Sequence, residues 1–509
     1  MMQKKYAIID IGSNTMRLVI YLLDKSGRLK EIENAKAVAR LRNYLSNDGF
    51  LTEEGIQKLI STLRSFQEVT RHHQLKEVKC VATATIRHAK NQQTILKRVQ
   101  DETDFDMRIL SEYEEAYFGY LAVVNSTPFT SGVTIDIGGG STELTYFEDR
   151  KLVSYHSFPF GALSLKKQFV EAEKPTDIEL KAISNFISDQ FKSLEWVQDK
   201  RLPIIGIGGS ARNMVQIHQE YTGYPLSGLH QYMMSSKDIC EINDFLKPMT
   251  FSELQRVDGL SKDRADIILP AIEVFKCLLD TVNTDQFVLS RKGLRDGIFY
   301  EELKKENGTS LFPNVIEKSF SQLATDYEIN INNAWKMIDL SILLARLLHD
   351  AGLTRIDEQD TSLLKRGAYV YNLGSYIDSE TSSQHTFYLL ANRTIDGLLH
   401  KERILLALLA SFKNKSEFKR NADPFQQWFS KSELAKYRLL GAILKFAHSL
   451  NATKRNIVKK IELEENEGDL NFFVTCNQDW KLEQYQTEKQ KKHLEKQLKK
   501  SINIFFTEE

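Results

Sequence analysis

The most regular feature of the chain is a pair of polar turns that each lie between two apolar runs. The first turn, residues 10–18, reads DIGSNTMRL and lies between the apolar runs 6–9 and 18–23. The second, residues 136–144, reads DIGGGSTEL, begins 126 residues later and lies between the runs 133–135 and 144–147. Apolar runs joined by a short polar turn predict strand, tight turn and strand, formed twice.

The pattern after each hairpin predicts a repeated order of strands and helices. After the first hairpin we expect a strand, a helix, a strand, a helix, a strand and a helix, at residues 29–42, 52–72, 78–83, 92–103, 107–110 and from 112. A similar order restarts at residue 133, with strands through 159, helices at 163–169 and 177–196, and a strand at 202–206. The repeat predicts an α/β fold with two domains of one topology, whose hairpins face a common cleft.

The second half of the chain changes character twice. After a linker at 307–310, helical periodicity marks residues 315–327, 333–351, 362–372 and 404–412. A hairpin over 458–475 that turns at 466–469, a lysine-rich helix over 481–500 and a strand at 502–506 follow. The predicted domains are 1–125 and 126–306, both α/β, then a mostly helical domain at 307–453 and a small α+β tail at 454–509.

Composition narrows the class of protein. The 509 residues carry 68 basic and 68 acidic side chains, which argues against a protein that coats nucleic acid, although a local basic groove is compatible with this balance. No apolar run reaches the roughly 18 residues of a membrane span, and polar residues interrupt the N-terminal apolar run, so neither a span nor a signal peptide is expected. The four cysteines are far apart, which is typical of buried thiols in the cytoplasm.

Both turns carry chemistry suited to a phosphate group. Glycines bring backbone N–H groups close to an anion, hydroxyls add donors, and the leading aspartate can hold a cation. The candidate phosphate-binding residues of the two turns are Gly12, Ser13, Asn14, Thr15, Gly138, Gly139, Gly140, Ser141 and Thr142. Ordinary hairpin turns are the alternative, but turn chemistry does not require the repeated aspartate.

A third glycine turn contains Gly208, Gly209 and Ser210, and it ends the strand 202–206 where a helix begins. A strand, a glycine turn and a helix N-terminus together form an anion site. A plain connection between strand and helix is an equally good interpretation of this turn alone.

Glu115 is the candidate general base. Ser111 and Glu114 have capping-box spacing, which gives Glu114 a structural role at the start of the helix from residue 112. Glu115 has no such role. It is either a solvated acid favoured by the helix dipole or a base that takes a proton from water beside a bound phosphate.

The complete set of motifs resembles the exopolyphosphatase/guanosine pentaphosphate phosphohydrolase family. The segments that carry the resemblance are 10–18, 82–87 (ATATIR), 114–116 (EEA), 136–144, 206–210 (GIGGS) and 289–297 (LSRKGLRDG). The resemblance covers about the first 305 residues well and the remainder by general layout.

The resemblance implies two actin-like, ribonuclease H-like domains and the hydrolysis of terminal phosphate from inorganic polyphosphate with a divalent metal, usually Mg²⁺. By position, Glu115 corresponds to the base, Asp136 and Glu143 to carboxylates of the metal site, and Arg87 to a phosphate contact. Asp10 is a third candidate metal ligand or a turn acid that bonds nearby backbone.

Arg17 occupies the offset in the first hairpin that Glu143 occupies in the second. It is either an anion contact or a surface arginine. We therefore expect the first hairpin to hold phosphate and the second to hold metal.

The C-terminal half suggests two accessory features. His349-Asp350 resembles the signature of HD-type metal phosphohydrolases, but the further ligands of such a site are missing nearby, so a degenerate domain is expected. Six lysines expected on the helix 481–500 form a solvated face or guide a polyanion, and they are Lys489, Lys491, Lys492, Lys496, Lys499 and Lys500.

The leading hypothesis is an exopolyphosphatase. The alternatives are hydrolysis of guanosine pentaphosphate to tetraphosphate by the same site, or a non-catalytic sensor of polyphosphate or a guanosine penta- or tetraphosphate. A sensor needs no base, which favours an enzyme. A kinase is disfavoured because no acceptor pocket is identified, and a homodimer is compatible with the sequence.

Overall fold

The computed structural model describes residues 4–23, 29–75, 77–466 and 468–509. They form two compact units that divide between Ser319 and Phe320. In these ranges no helix is both long and apolar enough to cross a membrane.

The first unit begins with a five-stranded sheet in the order β3-β2-β1-β4-β5. Its strands are β1 (Lys4–Ile11), β2 (Thr15–Leu23), β3 (Leu29–Val38), β4 (Val78–Ala82) and β5 (Met107–Ile109). Its helices are α1 (Glu53–His72), α2 (Ala84–Arg87), α3 (Gln92–Glu102) and α4 (Glu112–Val124). The first three strands are antiparallel, and β4 and β5 run parallel to β1. The predicted strand 29–42 ends at Val38, and a 3₁₀ helix (Leu41–Tyr44) follows.

A six-stranded sheet repeats this plan in the order β10-β11-β9-β6-β7-β8. Its strands are β6 (Gly132–Ile137), β7 (Thr142–Glu148), β8 (Lys151–Phe158), β9 (Ile204–Ile207), β10 (Met233–Met234) and β11 (Phe287–Leu289). Its helices are α5 (Ala162–Phe169), α6 (Asp177–Lys192), α7 (Gly208–Thr222), α8 (Ser236–Leu246), α9 (Phe251–Leu254), α10 (Ile268–Val282) and α11 (Leu294–Asn307). Both predicted hairpins are confirmed: Asp10 pairs with Arg17 across the first, and Asp136 pairs with Glu143 across the second.

Helices α4 and α11 pack against each other and against both sheets. Phe118 of α4 and Ile298 of α11 lie in one buried cluster with Ile8 and Val19 of the first sheet. Tyr120, Leu121 and Phe299 lie in another with Phe147 and Ile205 of the second sheet. The two helices approach closely because residue 297 is glycine: a Cβ there would lie 2.0 Å from the carbonyl oxygen of Phe118.

The second unit contains a helical array and a small sheet. Helix α12 (Val315–Asp326) contains the division between the two units. The helices that follow are α13 (Ile331–Asp350), α14 (Glu358–Tyr369), α15 (Ser382–Asn392), α16 (His400–Ala410), α17 (Lys415–Ala422), α18 (Lys431–Leu450), α19 (Lys481–Gln490) and α20 (Lys492–Leu498). Its strands are β12 (Val458–Asn466), β13 (Asp469–Cys476) and β14 (Ile502–Glu508), with β12 antiparallel and β14 parallel to β13.

Of two expectations for the end of the second unit, one is confirmed and one is wrong. The hairpin is confirmed, although residue 467 of its predicted turn lies outside the described residues. The single helix expected over 481–500 is wrong, because it divides at Lys491, and Lys499 ends α20 with a left-handed backbone (φ 56°). The six lysines therefore do not share one helix. The bounds of the four predicted domains stay predictions.

Candidate active site

The two hairpin turns close in the same way and meet each other. The N–H of Gly12 donates to the carbonyl of Thr15, and that of Gly138 to the carbonyl of Ser141, both at 3.0 Å. A Cβ at Gly139 would lie 3.1 Å from the Cβ of Ser13, and one at Gly140 would lie 3.4 Å from the Ser13 Oγ. The turns therefore face one another with no room for a side chain at Gly139, as the repeated motif predicts.

The first turn is held by hydrogen bonds from neighbouring segments, and one of its polar side chains forms no hydrogen bond with the described residues. The hydroxyl of Thr85 donates to the Ser13 Oγ at 2.8 Å, and the backbone N–H of Arg40 donates to the carbonyl of Asn14 at 2.8 Å. The Asn14 side chain is buried, yet neither its amide nitrogen nor its amide oxygen has a hydrogen-bond partner among the described residues. Buried amides are normally satisfied, so these two atoms are available to a ligand.

Glu115 lies in the first turn of α4 and is not a solvated acid. Its Oε2 accepts a hydrogen bond from Arg87 Nη1 at 2.8 Å, and the Arg87 and Glu115 side chains are 12% and 16% exposed. Arg87 Nη1 also donates to the carbonyl of Leu110 at 3.0 Å, whereas Arg87 Nε and Nη2 are buried without a partner in the described part of the chain. One edge of the guanidinium thus orients Glu115, and the other can bind an anion in a bidentate manner.

Four carboxylates act electrostatically on one another in this region. Burial raises the pKa of Glu115 to about 7, and the charges of Asp136 and Asp10 add to the rise while Arg87 opposes it. Burial and the charge of Asp10 raise the pKa of Asp136 to about 6. Burial and the charge of Glu115 raise the pKa of Glu143 well above its usual range. Burial raises the pKa of Asp10, against the charges of Arg295 and Arg17. The four groups are therefore parts of one acidic site.

The carboxylates fit a hard cation that also contacts substrate. In the described ranges, no three aspartate, glutamate, histidine or cysteine side chains converge closely enough to hold one metal ion. The metal-ligand role predicted for Asp10, Asp136 and Glu143 stays a prediction. Mg²⁺ is commonly held by one or two carboxylates together with water and substrate phosphates, and these carboxylate oxygens suit it.

The third glycine turn packs on the second hairpin. Gly208 has φ +82°, and a Cβ there would lie 2.3 Å from Asp136 Oδ1. The Ser210 hydroxyl donates to the carbonyl of Ile137 at 3.4 Å, and the Thr142 hydroxyl donates to the carbonyl of Phe160 at 2.7 Å. Both hydroxyls therefore hold backbone in place, whereas the glycine lets the turn approach Asp136.

Arg17 belongs to a group of arginines beside the carboxylates, most of which the sequence reasoning missed. Burial and the charges of Arg291, Arg17, Arg295 and Arg264 lower the pKa of Arg212 to about 10. Arg264 lies against the third turn, where a Cβ at Gly209 would be 2.2 Å from its Nη2. Arg295 Nε is 3.9 Å from Asp10 Oδ2, and Arg17 Nη1 donates to Asn34 Oδ1 at 2.8 Å. Arg291 and Arg295 lie in a motif, but nothing in the sequence marks Arg212 or Arg264.

Residues 19–306 match the model of the Ppx/GppA phosphatase family, and residues 315–498 match the model of domain III of Ppx/GppA phosphatases. The chain belongs to the Ppx/GppA phosphatase family. The resemblance inferred from the hairpins is thus confirmed, and the chain is a member of an enzyme family of hydrolases.

Three curated proteins that are similar to this chain have different names. The chain is 26% identical over 317 residues to the bifunctional 3-dehydroquinate synthase/phosphatase of Fusobacterium nucleatum, covering 59% of this chain and only 47% of that protein. It is 23% identical over 312 residues to exopolyphosphatase 1 of Mycobacterium tuberculosis, covering 60% of this chain and 91% of that protein. It is 23% identical over 422 residues to the guanosine-5'-triphosphate,3'-diphosphate pyrophosphatase of Aliivibrio fischeri, covering 79% of each.

A crystal structure of the Ppx/GppA family member from Aquifex aeolicus shares the fold. It is 29% identical with a TM-score of 0.53, and the match covers 60% of this chain and 99% of that one. The mixed α/β fold predicted for the first part of the chain is therefore confirmed.

Proposed function

We propose that this phosphatase is an exopolyphosphatase, which releases terminal orthophosphate from inorganic polyphosphate by attack of water. The observation that carries the proposal is the Arg87–Glu115 pair, in which one guanidinium edge orients the carboxylate and the other edge is unpartnered among the described residues. A base and an anion contact are thereby joined in one unit next to the turns.

Each step of the reaction has a group suited to it. The oxygen of water attacks the terminal phosphorus, the bond from that phosphorus to the bridging oxygen breaks, and the shortened chain leaves with the bonding electron pair. Glu115 accepts the proton of the attacking water, and its pKa of about 7 suits a base that works near neutral pH. Arg87 Nε and Nη2 donate to the phosphoryl oxygens, where negative charge is concentrated.

The acidic side of the site supports a role for a divalent cation. Asp136 and Glu143 are the carboxylates that would hold Mg²⁺, with Asp10 as a further candidate, and the ion would neutralise phosphate charge. In the second hairpin, Glu143 is fixed by a hydrogen bond from the Ser157 hydroxyl at 3.0 Å.

The arginine group favours a substrate with more than one phosphate. Arg17, Arg212, Arg264 and Arg295 add positive charge beyond the two turns, and they come from separate segments of the first unit. Repulsion among them is relieved by a polyanion, which gains several charge-assisted hydrogen bonds at once.

Hydrolysis of guanosine pentaphosphate is the second candidate. The A. fischeri relative bears the name of such an enzyme and matches this chain over 79% of its length, a range that extends beyond the first unit. Both substrates end in a phosphate that the same pair could attack.

The non-catalytic, HD-like character of the second unit stays a prediction. His349 and Asp350 are exposed at the end of α13, and no metal-binding cluster forms around them among the described residues. A cytoplasmic location and a homodimer stay predictions.

The deciding experiment is phosphate release from long polyphosphate, short polyphosphate and guanosine pentaphosphate, each with Mg²⁺. We expect release from polyphosphate, and a fall of about 10²–10⁴-fold for Glu115→Gln. Glu112→Gln, an exposed acid of the same helix turn, is the matched control and should keep full activity. Preference for guanosine pentaphosphate would establish the second candidate, and binding without release from any of the three would establish a sensor.

A further inference from the structure

The 3₁₀ helix Leu41–Tyr44 is attached to the first turn through its backbone. Arg40 precedes it with a left-handed backbone (φ 47°), a conformation that few residues other than glycine adopt. The N–H of Arg40 donates to the carbonyl of Asn14 at 2.8 Å, and the N–H of Arg42 donates to the carbonyl of Ser13 at 3.1 Å. The backbone of Arg42 is therefore fixed next to two candidate phosphate-binding residues.

The side chain of Arg42 reaches the second turn. A Cβ at Gly140 would lie 3.8 Å from both Cδ and Nε of Arg42, and 3.4 Å from Oγ of Ser13. Arg42 follows the last antiparallel strand of the first sheet, whereas Gly140 belongs to the hairpin of the second sheet. One side chain thus lies beside both turns, at the place where they meet.

The charge of Arg42 is not compensated. The side chain is half-buried, yet its guanidinium has neither an ion pair nor a hydrogen bond within the described part of the chain. Arg40 differs, because its Nη2 donates to the carbonyl of Asp263 at 3.4 Å. A guanidinium without a partner gains charge-assisted hydrogen bonds when a phosphate accepts from it.

Arg42 acts on the same region as Arg87. Burial lowers the pKa of His88, the charges of Arg87 and Arg42 add to the effect, and Glu112 opposes it. His88 directly follows Arg87 in the chain, so two positive charges lie near the end of α2. Arg42 is separate from the arginine group that lowers the pKa of Arg212.

This position suits the terminal phosphoryl group better than the remainder of a phosphate chain. Arg42 lies beside the two turns that are the candidate binding site of that group, and near the unpartnered edge of Arg87. In phosphoryl transfer, negative charge is spread over the three equatorial oxygens of the transferred group. Fixed donors around those oxygens stabilise the transition state.

We propose that Arg42 contacts the terminal phosphoryl group together with Arg87, as a further catalytic residue. This proposal rests on the proposed function, because it assigns Arg42 to the group that water attacks. Arg42 donates to phosphoryl oxygens from the 3₁₀ helix, and Arg87 donates from α2. The bound phosphate is thereby also joined to the segment that holds Ser13 and Asn14 in place.

The test measures the binding of inorganic phosphate to the full chain by calorimetry in the presence of Mg²⁺, which requires no turnover. We expect Arg42→Gln to weaken phosphate binding about tenfold or more, and Arg42→Lys, which keeps the charge without the planar fork, to be intermediate. Arg64→Gln is the matched control and should bind phosphate normally, because Arg64 is 57% exposed and paired with Glu102.

Kinetics locate the contact along the substrate. We expect Arg42→Gln to lower kcat about tenfold or more for both tripolyphosphate and long polyphosphate, since the contact is to the reacting group. KM for the long chain should change by less than about threefold, because the other arginines still bind the remainder of the chain. A raised KM with unchanged kcat and unchanged phosphate affinity would place Arg42 further along the chain and overturn the proposal.

Two further results would also contradict the proposal. Normal phosphate affinity in Arg42→Gln removes the contact, and a clear fall in the thermal unfolding midpoint makes Arg42 a structural residue. We expect an unchanged midpoint, since the side chain has no partner among the described residues. Failure of the proposed function is a different result, in which the wild-type protein binds phosphate but releases none from polyphosphate. The phosphate affinity of the variant still tests Arg42 in that case.

Discussion

Arg87 Nη1 donates to Glu115 Oε2 at 2.8 Å, while Nε and Nη2 of the same guanidinium are buried and unpartnered within the described residues. A buried donor without a partner costs about 1–3 kcal/mol, so the fold keeps these two nitrogens at the expense of stability. A phosphate that accepts from both would recover that free energy on binding.

The pair makes the activity depend on pH in a defined direction. The pKa of Glu115 is raised from 4.5 to about 7, so the carboxylate is protonated below that pH and cannot accept a proton from water. We expect kcat/KM for short polyphosphate to fall as pH drops through about 7 and to level off above it. Removing the positive charge with Arg87→Gln should move the midpoint of this fall to higher pH, because Arg87 lowers the pKa of Glu115. A midpoint that stays in place or moves to lower pH contradicts the role of Glu115 as the base.

Asn14 and Asn125 are both buried but differ in their hydrogen bonds. Asn125 Nδ2 donates to the carbonyl of Ser310 at 2.7 Å and its Oδ1 accepts from the N–H of Phe312 at 2.9 Å, whereas the Asn14 amide is unsatisfied. We expect Asn14→Ala to lower kcat/KM about tenfold or more with little loss of unfolding free energy. Asn125→Ala should cost about 1–3 kcal/mol with nearly unchanged kinetics. Chemical denaturation and phosphate release measure both; the reverse pattern would make Asn14 structural.

Substitutions at Gly208 and Gly308 distinguish the effect of backbone strain from the effect of contact with a carboxylate. Both have positive φ, +82° and +74°, but a Cβ at Gly208 would lie 2.3 Å from Asp136 Oδ1 and one at Gly308 would meet nothing within 4 Å. Gly308→Ala should cost about 1 kcal/mol of stability and leave turnover unchanged. Gly208→Ala should displace Asp136 and reduce kcat at least about tenfold, measured at saturating Mg²⁺. Equal effects of the two changes would show that the Asp136 contact is unimportant.

Arg212 should stabilise bound substrate while destabilising the free protein. Its pKa is lowered to about 10 by burial and by four other arginines, so its charge is unfavourable in the absence of an anion. We expect Arg212→Gln to raise KM for polyphosphate about tenfold and to raise, or leave unchanged, the thermal unfolding midpoint. Arg108→Gln, 60% exposed in the first sheet, is the control and should alter neither. A clear fall in the unfolding midpoint of the Arg212 variant would contradict this account.

The sequence predicts the hairpins well because their signals are local. The apolar runs of the strands, the turn glycines and the Ser111–Glu114 capping box each need only a few neighbours in the chain, and all are found in the structure. Asp10 opposite Arg17 and Asp136 opposite Glu143 follow from the repeated offsets.

The approach of Arg264 and the break at Lys491 have no local signal. Arg264 reaches the site only because the 3₁₀ helix Lys262–Arg264 folds onto the third turn, which is a tertiary event. Arg212 lies in α7 two residues after Ser210, but nothing in the sequence shows that it is buried among other arginines. The run 481–500 is almost uniformly polar, so no apolar periodicity marks where α19 ends and α20 begins. The positions of charged residues along the sequence likewise do not reveal that one edge of the Arg87 guanidinium has no partner among the described residues.

The position of α4 between the two sheets has a mechanical consequence. Phe118 packs with the first sheet and Tyr120 with the second, and Gly297 locks α11 against the same helix. Arg87, by contrast, is carried by α2 at the end of β4 in the first sheet. If the two sheets rotated relative to each other and α4 followed the second sheet, α4 would tilt against α2 and the Arg87–Glu115 hydrogen bond would lengthen. Such a rotation would then also remove the contact that orients the proposed base.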